Sequence, residues 1–116
     1  EKAKFIFTTL NGLFPLYNSV EQFCAATSEQ GNAVYRSNTF NLMTFRDHNI
    51  TELEDDSGNK MTLDCNERYY VPSEITWLLK SLGFTKIEIF GAKIGAYSRE
   101  DKLTTADFEM LVVVEK

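Results

Sequence analysis

The segment Pro72–Phe90 constrains the fold most, because its apolar residues change from the period of a helix to the period of a strand. Its first half carries apolar residues at the spacing i, i+3, i+4, i+7, which places them on one face of a helix. These residues are Ile75, Leu78, Leu79 and Leu82. Ser73 is a favoured N-cap residue beside a proline at the helix start, and Gly83 followed by Phe84 is typical of a helix that ends in the left-handed conformation. Apolar and charged residues then alternate, so we expect a helix that feeds directly into a strand.

Phe108–Val114 is the second strong strand of the sequence, since it is almost continuously apolar and rich in β-branched residues. Such a run is typical of a strand that is covered on both faces. We therefore expect it at the centre of a sheet, between Lys4–Leu10 and Thr85–Phe90 and antiparallel to both. The two outer strands are then parallel to each other, and their connection is expected to be right-handed.

Two stretches carry a resemblance to a known family. The motif Arg68-Tyr-Tyr-x-Pro-Ser-Glu-Ile75 is followed by a Leu-rich turn, Leu82-Gly-Phe84, a short strand, a loop and Phe108-Glu-Met-Leu-Val-Val113. This order resembles the C-terminal end of a class I S-adenosylmethionine-dependent methyltransferase, and the opening Lys4-Phe-Ile-Phe-Thr-Thr-Leu-Asn11 is similar to that family's fifth strand. The resemblance spans the whole chain. The family's cofactor motif, a Gly-rich turn after the first strand and an acidic residue after the second, has no counterpart in this sequence.

The resemblance implies an α/β fold, the C-terminal part of a Rossmann-like methyltransferase sheet. That sheet is mixed, its last strand is antiparallel, and an antiparallel β-meander is inserted; judged as an isolated piece, the chain is α+β. Residues 1–116 are then a single domain or fragment, in which residues 1–11 and 72–116 form the sheet edge with its crossover helix. Residues 12–71 are an inserted region, a short helix plus the meander, that covers the substrate.

The activity that the resemblance implies is methyl transfer to an acceptor. S-adenosylmethionine is then bound mainly by residues absent from this chain, and the chain alone is expected to be inactive. The alternative is a stand-alone, non-catalytic α+β module that binds a ligand or a partner.

The middle third of the sequence predicts the inserted helix and strands. Ser19–Gln22 has the spacing of a capping box, and Gly31 ends the helix that follows. Asp55–Asn59 is predicted to be a hairpin turn, since its Gly and Asn accept positive φ and the ligand spacing of a calcium loop is absent. The predicted strands are Thr39–Arg46, one that begins with Thr51–Glu54, and the returning Lys60–Asp64, which Glu67–Val71 extends or follows.

A methyl acceptor is expected near polar residues at strand ends and on the last loop. The candidate substrate-binding residues are Asn11, Arg68, Tyr69, Tyr97 and Arg99. Asn11 ends the first strand, and ligands of open α/β sheets bind beyond the carboxyl ends of parallel strands; the alternative is a turn residue that binds its own backbone. Arg68 can hold a carboxylate or phosphate through two hydrogen bonds, or else form a structural salt bridge. Of Tyr69 and Tyr70, only one is expected to face a pocket, because strand alternation turns the other into the core.

The charge and composition of the chain limit the classes of partner that it is expected to bind. The 116 residues carry a net charge of −5 and a pI near 4.8, which argues against nucleic acid or an anionic membrane as the main partner. The sequence contains no apolar run of about 18 residues and no signal-peptide layout, so we expect a cytoplasmic protein without a membrane span.

Neither a metal cluster nor a nucleophile–base pair can be assembled from the sequence. Its single histidine, His48, lies in a polar stretch and is more typical of a solvated turn than of a catalytic base. Cys24 and Cys65 lack CxxC spacing, which favours free thiols over a disulfide or metal pair. Trp77 lies off the helix stripe and is expected either to be half-exposed or to pack on residues absent from this chain. Lys4–Leu10 carries little charge and would have an unpaired edge in a fragment, so we expect the isolated chain to self-associate.

Overall fold

The computed structural model describes residues 3–20, 33–93 and 95–116, without the side chains of residues 33–38. Its elements, in chain order, are β1 (Lys4–Leu10), α1 (Phe14–Tyr17), β2 (Ala33–Asn41), β3 (Arg46–Glu54), β4 (Lys60–Arg68), α2 (Pro72–Ser81), β5 (Lys86–Ala92) and β6 (Glu109–Glu115). They fall into two compact units, Glu1–Asn18 with Tyr69–Lys116, and Ser19–Arg68. Among the described residues, no helix has both the length and the apolar character needed to cross a membrane.

β6 is the central strand of the first unit, whose three-stranded sheet has the order β1-β6-β5. It runs antiparallel to both neighbours, and Val112 lies opposite Phe7 on one side and Ile89 on the other. β1 and β5 are therefore parallel to each other. This confirms the strand order predicted from the apolar run at the end of the chain.

α2 covers one face of this sheet. The buried core consists of Ile75, Leu79, Met110, Val112 and Val114. The three β6 residues lie on one face because successive side chains of a strand point to opposite sides. The helix therefore buries its apolar residues against the strand that ends the chain.

The opposite face of β6 is only partly covered. Leu111 and Val113 point away from α2 and are half-buried. The prediction that this strand is covered on both faces is therefore wrong for these residues.

α2 begins without a side-chain cap. Its N-cap is Val71, in extended backbone, and no side-chain cap hydrogen bond is formed. Pro72 takes the first helical position, where its missing N–H costs little. Ser73 therefore lies exposed in the first turn, and the prediction that it caps the helix is wrong.

The end of α2 is a Schellman motif. Gly83 has a φ of 97° and donates its N–H to the carbonyl oxygen of Lys80 at 3.0 Å. Phe84 donates its N–H to the carbonyl oxygen of Leu79 at 3.2 Å. These two hydrogen bonds define the motif, so the predicted helix end is confirmed.

Only half of the predicted apolar stripe of α2 is buried. Ile75 and Leu79 are each 5% exposed, whereas Leu78 is 37% and Leu82 is 59% exposed. Trp77 is 73% exposed, more than the half-exposure expected. Ile75 and Leu79 are four residues apart and lie one above the other on the helix, so α2 contacts the sheet along a narrower line than its spacing predicts.

We expect Leu79→Ala to lower the free energy of unfolding by about 2–3 kcal/mol, near the lower end for a buried leucine, because partly exposed neighbours let the site relax. Lys80→Ala, at the adjacent exposed position, should change it by no more than about 0.5 kcal/mol. Denaturant unfolding of the two variants measures both values. Equal losses would contradict the orientation of α2.

The second unit contains an antiparallel sheet in the order β2-β3-β4, joined by two hairpins. This confirms the predicted meander. The unit lies within the range 12–71 of the predicted insert, whose substrate-covering role stays a prediction. The short helix predicted after Ser19 lies outside the described residues.

The first hairpin corrects one predicted strand. Asn41 accepts hydrogen bonds at Oδ1 from the N–H groups of Met43 and Thr44, at 2.8 and 3.2 Å. Its carbonyl oxygen accepts a third from Phe45 at 2.8 Å, and Phe45 has a φ of 54°. These bonds form a turn, so Thr39–Arg46 is the end of β2, a turn and the start of β3 rather than one strand.

The second hairpin forms where it was predicted. Asp55 accepts hydrogen bonds at Oδ1 from the N–H groups of Ser57 and Asn59, at 2.9 and 2.8 Å. Two hydrogen bonds from Asn59 lower the pKa of Asp55. The one from its backbone N–H has the largest effect, and the one from its side chain comes next. Gly58 has a φ of 83°, the positive value that this turn requires. β4 then continues to Arg68 as one strand.

Candidate functional site

The carboxyl end of β1 is organised by Asn11, which is fully buried. Its Nδ2 donates to the carbonyl oxygens of Thr104, at 3.1 Å, and Asp107, at 2.8 Å. Its Oδ1 accepts the N–H of Leu13 at 3.1 Å, and its own N–H donates to the carbonyl oxygen of Phe108 at 2.9 Å. One side chain thus joins the end of β1, the start of α1 and the loop before β6.

The chain that returns before α2 pairs with the same end of β1. Tyr70 donates its N–H to the carbonyl oxygen of Leu10 at 3.2 Å and accepts the N–H of Gly12 at 2.9 Å. Tyr69 beside it is fully buried. The ring of Tyr69 packs edge-on against Phe108, with centroids 6.0 Å apart. Tyr69 therefore has the surroundings of a core residue, and Tyr70 is half-buried.

The loop from Lys93 to Asp107 is tied down at its base. The Oδ2 atom of Asp107 accepts hydrogen bonds from the N–H of Thr104 at 2.8 Å and from its hydroxyl at 3.2 Å. Lys93 Nζ lies 3.8 Å from Asp107 Oδ1. A Cβ atom built on Gly91 would lie 2.6 Å from Asp107 Oδ2. The carboxylate thus fills the space that any side chain at position 91 would need.

Asp107 and Gly91 were not among the predicted site residues. One signal was present, since Gly91 directly follows an alternating strand pattern. A glycine within a strand often marks a close approach of another group. The approaching group is the carboxylate of Asp107, at the far end of the next loop. No local sequence pattern indicates this partner.

Tyr97 and Arg99 lie together over the sheet face that α2 leaves uncovered. With Ser98 they form one wall of an open groove of about 510 Å³. The rest of the groove is formed by Ile6, Phe7, Thr8, Leu111 and Val113. Tyr97 is 56% exposed, so its ring and hydroxyl are accessible to a ligand.

Arg99 forms a charge pair at the amino-terminal end of β5. Its Nη1 donates to both carboxylate oxygens of Glu88, each at 2.8 Å. This hydrogen bond is the main cause that lowers the pKa of Glu88; the charges of Arg99, Lys86 and Lys4 act in the same direction. The guanidinium carbon also lies 5.9 Å from the centre of the Phe90 ring. Arg99 is therefore already committed to contacts within its own unit.

Arg68 belongs to the second unit. It is the last residue of β4, is half-buried, and lies opposite Arg46 in the β3–β4 register. Arg46 donates Nη1 to Asn66 Oδ1 at 3.0 Å. The structure thus places the predicted site residues in three places: Asn11 with Tyr69, Tyr97 with Arg99, and Arg68 in the second unit. Their roles in substrate binding stay predictions.

His48 lies in β3 and not in a turn, which corrects its predicted setting. Its side chain is about half exposed, and Nε2 contacts Asp64 Oδ1 on β4. Cys65 is a free thiol, whereas Cys24 lies outside the described residues. Within the described ranges, no group of three or more His, Cys, Asp or Glu residues could hold a metal ion.

Comparison with known proteins gives a fold but no family. No family model matches the sequence, and no curated protein matches it. The solved structure of the CcbJ methyltransferase from Streptomyces caelestis matches 97% of this chain with a TM-score of 0.63 at 12% identity. An S-adenosylmethionine-dependent methyltransferase from Clostridium acetobutylicum ATCC 824 matches 97% of it with a TM-score of 0.60 at 14% identity. The chain shares the fold of part of a methyltransferase.

The match covers only part of each solved structure. This chain spans 45% of the Streptomyces protein and 44% of the Clostridium protein. More than half of each methyltransferase therefore has no counterpart in this chain.

Proposed function

We propose that this chain is the C-terminal, substrate-side portion of a class I S-adenosylmethionine-dependent methyltransferase. The observation that carries the proposal is the match of almost the whole chain to less than half of two methyltransferases. The sequence resemblance supports it independently, since it rests on motifs and not on the superposition. The confirmed position of β6 between two parallel strands agrees with the antiparallel last strand that the resemblance implies.

Two residues near the carboxyl ends of the strands, Gly91 and Asn11, do not fit the cofactor. A nucleotide cofactor needs backbone that it can approach closely, usually at a glycine. Gly91 instead faces the carboxylate of Asp107, and the polar atoms of Asn11 are bound to the backbone. We therefore propose that S-adenosylmethionine is bound mainly by residues outside this chain.

The chain would contribute the acceptor side of the reaction. Methyl transfer depends largely on holding two reactants close and aligned, so this portion needs no catalytic motif of its own. The carboxyl end of β1 is the edge at which ligands of open α/β sheets bind. Asn11 and Tyr69 are buried there, so they act by holding that edge in shape. Tyr97 is exposed beside the groove and can contact an acceptor there. Substrate binding by Arg99, which is paired with Glu88, and by Arg68, which lies in the second unit, stays a prediction, as does a cytoplasmic location.

The coding sequence upstream of Glu1 tests this proposal directly. We expect an open reading frame that continues upstream, with a strand and a Gly-rich turn roughly 100 residues before Glu1 and an acidic residue about 20 residues further on. A start codon directly before Glu1 would favour the stand-alone binding module instead.

Calorimetry with S-adenosylmethionine tests where the cofactor site lies. We expect the 116-residue chain alone to show no binding, or binding weaker than about millimolar, which corresponds to less than about 4 kcal/mol of binding free energy. The reason is that the sequence has no counterpart of the Gly-rich turn of the cofactor motif and that Gly91 faces the carboxylate of Asp107. A micromolar dissociation constant would place the cofactor site within this chain and overturn the proposed division.

A further inference from the structure

The central strand β6 has a glutamate at each end, and both side chains point to the face of the sheet away from α2, because alternate residues of a strand share a face. Glu115, at the far end, lies opposite Lys4 on β1 and Lys86 on β5. Its Oε2 atom lies 3.9 Å from Nζ of Lys4. The strand register therefore gives Glu115 a cation from each neighbouring strand.

Glu109, at the start of β6, has no such neighbours. It lies opposite Leu10 and Ala92, whose side chains cannot form a hydrogen bond. Lys93 follows Ala92, but its Nζ lies 3.8 Å from Oδ1 of Asp107. In the described part of the chain, the carboxylate of Glu109 forms neither a hydrogen bond nor an ion pair. Both of its opposed residues belong to this sheet, so the lack of a cation in its row does not depend on where the sequence begins.

The position of Glu109 is one at which a ligand is expected. Leu10 and Ala92 are the last residues of the two parallel strands β1 and β5, so Glu109 lies between their carboxyl ends. Ligands of open α/β sheets bind at this edge. The side chain of Glu109 is half-buried, which removes part of the hydration of its carboxylate. A donor group from a ligand can replace the lost water.

The groove beside Tyr97 extends along the same face to the row next to Glu109. Thr8 and Leu111 form that row and line the groove. Glu109 lies about 7 Å beyond Leu111 along the strand, since each residue of a strand advances about 3.4 Å. A molecule with its apolar part in the groove can therefore bring a polar group to Glu109.

We propose that Glu109 binds a protonated amino group of the methyl acceptor, whose apolar part lies in the groove. A carboxylate only accepts hydrogen bonds, and an ammonium group supplies three donors together with the opposite charge. Glu109 would instead repel a carboxylate or a phosphate. The identification of the ligand as a methyl acceptor rests on the proposed function, whereas the binding of an amine by Glu109 does not.

A titration of the 116-residue protein with benzylamine, followed by NMR chemical shifts at neutral pH, tests this site. Benzyl alcohol is the neutral probe with the same ring, and benzoate is the anionic one. We expect benzylamine to bind more tightly than either and to shift the amides of Glu109 and Leu111. Glu109→Gln should raise the dissociation constant of benzylamine about tenfold, the effect of losing a charge-assisted hydrogen bond. It should leave that of benzyl alcohol unchanged, which also shows that the variant keeps its groove.

Glu115→Gln is the matched control. It removes the same charge from the same face of the same strand, at the end where Glu115 is paired with Lys4. We expect this variant to bind benzylamine like the unaltered protein. Equal weakening by the two substitutions would show attraction by the net charge alone and would overturn the proposal. So would the absence of benzylamine binding, or benzylamine binding no tighter than that of benzyl alcohol.

These outcomes can be separated from a failure of the proposed function. The upstream coding sequence and the calorimetry with S-adenosylmethionine test methyl transfer without involving Glu109. A chain that binds benzylamine through Glu109 but lacks an upstream cofactor motif would keep the amine site and lose the methyltransferase assignment. A chain with the motif and no amine binding would do the reverse.

Discussion

Asn11→Ala should lower the free energy of unfolding by about 2–4 kcal/mol, since a buried polar group left without its hydrogen bond costs about 1–3 kcal/mol and a part-buried one costs less. The substitution removes both donors to the carbonyl oxygens of Thr104 and Asp107 and the acceptor for the N–H of Leu13. Water cannot easily replace the hydrogen bond to Asp107, because Asn11 is fully buried and that bond is buried as well. Denaturant unfolding measures the loss, and an effect below about 1 kcal/mol would show that this side chain does not hold the end of β1.

Asn18→Ala is the matched control for this prediction. Asn18 also donates from Nδ2 to two carbonyl oxygens, of Phe14 at 3.2 Å and Thr105 at 2.7 Å. Its side chain is exposed, so water takes over both hydrogen bonds and the loss should be no more than about 1 kcal/mol.

Asn11→Asp separates hydrogen bonding from shape. The aspartate keeps the size of asparagine but turns an oxygen toward carbonyl oxygens that need a donor. When protonated, it can donate one of the two bonds. The variant should therefore lose less stability at pH 4 than at pH 7, and equal losses at both would contradict the assigned hydrogen bonds.

Gly91→Ala should lower the free energy of unfolding by about 3–5 kcal/mol, the sum of overpacking and of lost hydrogen bonds to a buried carboxylate. The new Cβ would lie 2.6 Å from Asp107 Oδ2 and 3.0 Å from its Cγ. Asp107 is only 8% exposed and is held by both donors of Thr104. It can make room only by giving up those hydrogen bonds.

A double-mutant cycle with Asp107→Ala tests this mechanism. Asp107→Ala removes the three atoms nearest to the new Cβ, so the further cost of alanine at position 91 should fall to about 1 kcal/mol or less. The coupling between the two positions should then be about 2 kcal/mol or more, as expected for residues in direct contact. Additive losses would show that position 91 is sensitive for another reason, such as its backbone conformation.

The sequence alone determined the features that depend on neighbouring residues. The Schellman end of α2 follows from a glycine and an apolar residue in succession, and the hairpin at Asp55–Asn59 follows from turn residues between two strands. The central position of β6 also followed from sequence, because a run that is apolar at nearly every position is best buried between two other strands.

Only the tertiary structure decided how these elements share their surfaces. The spacing of α2 predicts a stripe of four apolar residues, but the sheet buries Ile75 and Leu79 and leaves the other two partly exposed. The spacing of apolar residues predicts which of them lie on one face of a helix. It does not predict how much of that face the sheet will cover. The same holds at its start, where Pro72 places Val71 at the N-cap although Ser73 has the better cap chemistry.

The candidate site depended most on contacts that are distant in the chain. Asn11 was found from its place at the end of a strand, but its partners Thr104 and Asp107 lie 93 and 96 residues away. Arg99 was identified as a polar loop residue, and only the folded chain shows that it is paired with Glu88. Local patterns predict turns, helices and strands, since the energies that favour them come from residues close together in the sequence. The partners of a buried amide or a charged side chain are set by which strands the fold brings together, and the sequence carries no local signal for that.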